Sequence, residues 1–271
     1  MLRPTIALVT LVLFMPPAAA GLNFERSITE KTAYALTFDA HEAARGAREL
    51  LALLRERRIR ATLFVTGRFA STYPELLREA ALDGHEIGNH TYSHPHLTTW
   101  GEQRRHQTRP EITRETLQDE LRRTADAIRA ATGAPPSRFW RAPYGEHNRE
   151  IRRWASELGL VHVDWTRGGG TSLDALDWVD DPRSRLYLDA ESMLRRLLQF
   201  ESRSGVPLAG SIVLMHLGST RDDLPLLEAL PFFLDENDRR GLRPVPVGEL
   251  FRSSGGDPDV AGEEAREPAP H

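Results

Sequence analysis

From residue 32 onward, short β-branched or aromatic runs alternate with longer segments in which apolar residues recur at helical spacing. The pattern predicts strands over 34–38, 61–66, 85–87, 139–143, 160–166, 211–216 and 244–247. It predicts helices over 43–57, 74–82, 113–132, 148–158, 188–200 and 224–234. In the first helix Ala47, Leu50, Leu51 and Leu54 share a face; in the third, Leu117, Leu121, Ala125 and Ile128 do so, with Gly133 as the stop and Gly67 closing the second strand. Alternation at this spacing argues for an α/β fold, a single domain of βα units around a mainly parallel sheet or barrel. In such folds the βα loops gather at the carboxyl ends of the strands, and chemistry sits there. The polar residues at those ends are Asp39 and His41, His90 and His94, Arg141 with Tyr144, Asp164 with Trp165, and His216.

Composition adds most at the two termini. The chain has 271 residues, 40% hydrophobic and 27% charged, which suits one large globular domain. A net charge of −4 without a long basic block excludes nucleic acid as the main partner. One arginine, an apolar stretch over 6–15 and then Pro16-Pro-Ala-Ala-Ala-Gly21 read as a signal peptide over 1–20, cleaved after Ala20. The stretch is well short of the ~20 residues a membrane span needs, so a secreted or periplasmic protein is expected, with no transmembrane segment after cleavage. With no cysteine, such a protein depends on its core alone. The folded domain is expected over 21–251 as a monomer, followed by a disordered tail rich in Gly, Pro, Glu and Ala over 252–271.

The strongest local signal is Gly88-Asn-His90-Thr-Tyr-Ser-His94-Pro-His96. Histidines four apart can face one metal, typically zinc, although Pro95 disfavours helical geometry at His94. A bare pair of this spacing is as readily two solvated loop histidines. The zinc-protease motif is rejected, because the histidine after His85-Glu86 comes one position too late. His216 follows the buried-looking run 212–215, where an ionisable group is costly unless paired. His96, His106 and the excursion over 98–111, which carries Trp100, flank the expected cleft; His85, His147 and His162 read as structural or solvated.

Taken in order, Thr37-Phe-Asp39, His90-Thr-Tyr-Ser-His94, Arg141-Ala-Pro-Tyr144, Asp164-Trp165 and Leu214-Met-His216 resemble the polysaccharide deacetylases, the NodB-homology domain of carbohydrate esterase family 4. The resemblance spans roughly 33–251 and implies an irregular (β/α) barrel that removes acetyl groups from sugars with one divalent metal. The ion would be zinc, with Co2+, Ni2+ or Mn2+ as alternatives. Carried over, His90 and His94 are metal ligands and Asp39 is the general base, paired with Arg141. Tyr144 lies beside the acetyl group with its backbone N–H toward the oxyanion. Asp164 orients His216, the general acid, and Trp165 and Leu214 shape the acetyl pocket. The implied substrate is peptidoglycan or an N-acetylglucosamine polymer. An O-acetyl esterase of xylan type and a silent carbohydrate-binding protein stand as the other readings.

One position departs from the family. Most members read Asp-Asp-Gly at the opening motif, and the second aspartate is the third metal ligand; here it is Ala40. His41 can supply that ligand, Asp39 can become one, or water can fill the place. Strand alternation would send Ala40 and His41 to opposite sides. An Asp-Trp pair also recurs at Asp177-Trp178, without assigned chemistry.

Overall fold

The computed structural model describes residues 23–254. Ten strands form: β1 (Asn23–Phe24), β2 (Ala33–Ala40), β3 (Thr62–Val65), β4 (Glu86–Asn89), β5 (Phe139–Trp140), β6 (Val161–Val163), β7 (Arg167–Gly168), β8 (Thr171–Ser172), β9 (Ile212–His216) and β10 (Arg243–Val245). All but β7 and β8 join one parallel sheet in the order β1-β6-β5-β4-β3-β2-β10, with β9 on β2 as well; β7 and β8 make a small antiparallel hairpin. The sheet curls into a half-barrel. Beyond β6 the chain turns along β9, where Asp174 bridges Leu214 and Thr166 N–H donates to the Ile212 carbonyl. This is the expected α/β barrel of the NodB type in a single domain.

Both faces of the sheet are covered, as parallel strands require. All eight residues of β2 are buried. Tyr34, Leu36, Phe38 and Ala40 pack with the helix layer, against Leu50, Leu54 and Phe233 among others. Ala33 and Ala35 face the barrel interior with Phe64, Phe139, Val163 and Ile212. The period of two therefore sets Thr37 and Asp39 on the interior side.

Helix ends follow local chemistry. The long helix Arg114–Thr132 starts at Thr113, whose hydroxyl accepts from Thr116 N–H, and stops at Gly133 with φ 79°. Thr124 is buried on its inner face where Ala125 was expected, and Ala125 is half-buried. Gly67, read as the close of a strand, instead opens a helix, Gly67–Thr72, capped by Thr66. A side chain at Gly67 would meet the Tyr92 ring, so the close approach needs a glycine there. The helix expected to end at 234 runs over Pro225–Arg239. Arg252 and Ser253, expected in the tail, belong to the helix Val247–Ser253, which packs Val247, Leu250 and Phe251 into the interior core. The predicted signal peptide and most of the predicted tail lie outside the described residues.

Candidate active site

Sheet register brings the strand ends together. Asp39 lies opposite His216 across the β2–β9 ladder, and Ala40 opposite Val65, which itself pairs with Asn89. Asn89 pairs with Trp140, so Asp39, His90, Arg141 and His216 all emerge at one rim. Asp39, His90 and Arg141 are almost wholly buried.

Arg141 reaches across the rim to Asp39. Its Nη1 donates to Asp39 Oδ1 at 2.7 Å and to Thr37 Oγ1 at 2.9 Å, while Nε and Nη2 donate to the Val163 and Asp164 carbonyls. A guanidinium tied at four points cannot swing away, and it fixes one oxygen of the carboxylate while Oδ2 stays 3.6 Å from His90 Nε2. His90 donates Nδ1–H to the Arg141 carbonyl at 2.8 Å, which leaves Nε2 as the lone-pair nitrogen.

The loop after β4 carries both predicted ligands. Thr91 and His94 adopt left-handed φ of 63° and 59°, so the pair is presented by a strained loop rather than a helical turn. Glu120 on the long helix holds it, accepting from Tyr92 N–H, Ser93 N–H and the Ser93 hydroxyl at 2.8, 2.7 and 3.0 Å. Asn89 caps Thr91 N–H and donates to the Leu121 carbonyl. The ring of His41 turns in to stack on His94 at 4.7 Å and meets His216 edge-on at 5.9 Å; His90 and His94 lie 4.9 Å apart. Ala40 points the other way, into the helix-side core.

Burial drives the imidazoles neutral. It takes His90 down to about 3 and His94 to about 2, and with the nearby His216 charge it lowers His41 too. Among the described residues no group of three His, Cys, Asp or Glu is disposed to hold a metal as it stands. The donor chemistry nevertheless fits one: three neutral imidazoles side by side suit a borderline cation such as zinc, and neither the His41 nor the His94 ring is hydrogen-bonded to another described residue.

His216 corrects one sequence expectation. Its partner is Asp177: Oδ1 accepts Nδ1–H at 2.8 Å and Oδ2 accepts the backbone N–H at 2.7 Å. Burial opposes charge on this imidazole, but the Asp177 carboxylate, with smaller help from Asp39 and Asp174, outweighs burial and raises it to about 9. Asp164, expected in this role, is elsewhere. Its carboxylate, itself wholly buried, is spent on His147, Arg167 and the Trp165 N–H, in a network continued by Arg152. Only its backbone carbonyl serves the rim, through Arg141.

The physical reason is topological. The segment that flanks β9 near His216 is the one after Leu173, whose backbone exchanges hydrogen bonds with Leu214. Trp165 moves with Asp164: it packs beneath the turn Pro143–Gly145, where a side chain at Gly145 would come within 2.7 Å of its ring. Trp178 is the tryptophan at the mouth. It is 47% exposed and lines a crevice with His41, Glu42, His216, Ser219 and Thr220. Leu214, two residues before His216 on β9, is buried beside them.

The remaining predicted residue, Tyr144, sits in a left-handed conformation with φ 58° and is 48% exposed. Its ring meets His94 edge-on at 4.5 Å and stacks on His96 at 4.0 Å. Two acids escaped the sequence reading, Glu120 and Glu146. Both act on loops from a distance in the chain, which no local motif reveals. Trp100 of the 98–111 excursion stacks on His106.

Known proteins resemble this chain in sequence and fold. The polysaccharide deacetylase family model matches residues 26–163, just over half of the chain and ending before Asp177 and His216. A peptidoglycan-N-acetylglucosamine deacetylase of Bacillus cereus is 26% identical over 83% of this chain and 70% of its own. A chitooligosaccharide deacetylase of Sinorhizobium fredii is 34% identical over 75% of this chain and 80% of its own. Among solved structures, a CE4 family pseudoenzyme from Bacillus anthracis superposes with a TM-score of 0.68 at 22% identity, over 86% of this chain and 69% of that one; that likeness concerns the fold alone. The family is generally dependent on a divalent metal. No helix among the described residues is long and apolar enough to cross a membrane. The chain belongs to the polysaccharide deacetylase family, hydrolases that act on carbon–nitrogen bonds.

Proposed function

We propose that this protein is an exported, metal-dependent deacetylase that hydrolyses the N-acetyl groups of an N-acetylglucosamine polymer or of peptidoglycan. The observation that carries the reading is the acid–base pair. Asp39 and His216 face each other across one strand ladder, each held by its own buried partner of opposite charge, Arg141 and Asp177. A protein that only binds sugar has no use for such an arrangement, which weighs against the silent reading despite Ala40.

His90, His94 and His41 would hold the ion, zinc by the preference of three imidazoles. When bound, a divalent ion supplies Lewis acidity that polarises the acetyl carbonyl and acidifies the attacking water. Asp39, fixed through Oδ1 by Arg141, takes the proton of that water through Oδ2 as the new C–O bond forms. The Tyr144 backbone N–H donates to the oxygen that gains charge. His216, protonated at neutral pH because Asp177 holds it at about 9, gives its Nε2 proton to the departing nitrogen. The C–N bond breaks, leaving acetate and a free amine. Trp178 and Leu214 line the place of the acetyl group, with Trp178 taking the part first read for Trp165. The apolar stretch over 6–15 and its small-residue site support export by a signal peptide, which would bring the enzyme to cell-envelope or extracellular polymer.

The test is acetate release by the zinc-loaded protein from chitooligosaccharide, peptidoglycan and acetylxylan. Release from the first or second is expected; release from acetylxylan alone would replace the amidase reading with an esterase.

A further inference from the structure

His96 is not used by this chemistry, yet the structure fixes it with unusual care. Its Nδ1–H donates to Glu146 Oε1 at 2.8 Å. Glu146 is 1% exposed and also accepts Leu97 N–H and Thr98 N–H at 2.9 and 3.0 Å. The imidazole plane lies 11° from the Tyr144 plane at 4.0 Å, while its side chain remains 51% exposed. A half-exposed ring is thus locked on one edge by a buried carboxylate and on one face by a phenol. The other edge, with Nε2, has no hydrogen-bond partner among the described residues.

We propose that His96 is a specificity-determining residue whose Nε2 hydrogen-bonds a hydroxyl of the sugar adjoining the one that loses its acetyl group. The inference rests on the deacetylase reading above. Position supports it: His96 is two ring-to-ring steps from His94, through Tyr144, so it stands beside the reacting centre rather than in it. Chemistry supports it as well. With Nδ1–H given to Glu146, the free nitrogen accepts in the neutral ring and donates in the charged one, and a sugar hydroxyl can answer either. Locking the ring before substrate arrives removes the ordering cost that a free side chain would lose on binding. Exposed Tyr144, stacked against the same ring, adds an apolar face suited to the C–H surface of a pyranose.

The experiment measures kcat and KM for the zinc-loaded wild type, His96→Phe and His96→Ala on N-acetylglucosamine oligomers from one to four units. His96→Phe keeps a ring for Tyr144 to stack on and removes Nε2. The expected result is that kcat/KM rises with length in the wild type, and that both variants lose about two- to tenfold of that rise, through KM, as one neutral hydrogen bond allows. Three results would overturn the proposal: a rise of the same size in wild type and His96→Phe, a loss in His96→Ala alone, or a fall in kcat that is equal at every length. The last two mark a packing role through Tyr144. No acetate release by the wild type from any oligomer or from peptidoglycan would instead fail the deacetylase reading itself.

Discussion

Replacing Asp177 with asparagine separates the aspartate that pairs with His216 in the structure from Asp164, which the sequence reading placed there. In the wild type the carboxylate raises His216 from its ordinary 6.5 to about 9 against the pull of burial. The amide of Asp177→Asn keeps the shape and removes the largest of the raising charges, leaving burial opposed only by the weaker influence of Asp39 and Asp174, so the pKa falls toward its ordinary 6.5. At pH 8 about nine-tenths of His216 is then protonated in the wild type and roughly 3% in Asp177→Asn, a loss of about 30-fold in the acid form. The alkaline limb of kcat/KM for acetate release should move down by up to about 2.5 pH units. A divalent ion nearby lowers both limbs, so the displacement between wild type and variant is the quantity to read.

Stability carries the same sign. A folded pKa raised above the unfolded value stabilises fully below pH 6.5 and is lost as pH rises through 9, so thermal unfolding of the metal-free variant should show a deficit of about 3 kcal/mol at pH 6 that fades by pH 9–10. Asp164→Asn, by contrast, should lower stability through His147 and Arg167 and leave the alkaline limb in place. A limb unmoved in Asp177→Asn, or moved in Asp164→Asn, would refute the assignment of Asp177.

Two further variants probe the histidine set. His41→Ala should weaken zinc affinity, read by chelator competition, by at least about tenfold; an unchanged affinity would return the third position to Asp39 or water. Glu120→Ala strands the Tyr92 and Ser93 N–H donors and should cost about 2 kcal/mol, lowering the melting temperature by several degrees and zinc affinity with it. A melting temperature equal to wild type would show that the loop does not depend on that carboxylate.

The fold was legible because it is written in local periodicity. The two-residue alternation of β2 and the three- to four-residue spacing of the helix over Arg114–Thr132 each report a buried face directly. Asp39, His41, His90, His94, Arg141 and His216 are legible as candidates because each sits at or shortly past a strand end, and the structure brings them to one rim. Asp177 was passed over because it lies in an irregular segment. Its claim over Asp164 depends on which stretch runs beside β9, and that is a fact of closure rather than of spacing. Glu120 and Glu146 were invisible for a related reason, since each serves a loop 27 to 50 residues away. The helix Gly67–Thr72 is hard to read from sequence because Gly67 looks like punctuation, when its smallness answers to the Tyr92 ring.

The ladder between β2 and β9 has a consequence for how this site can vary. Asp39 and His216 are spaced by backbone hydrogen bonds, which no loop insertion or surface exchange can stretch. Of the three candidate ligands, His90 follows directly on β4, His94 lies in a loop with left-handed residues held by Glu120 and Asn89, and His41 lies in the bend after β2. The pair proposed to move protons is therefore built to a fixed gauge, while the histidines proposed to hold the ion have play. On the proposed reading, a chain with this construction can carry alanine at position 40 and a ligand at 41 without disturbing the distance between Asp39 and His216.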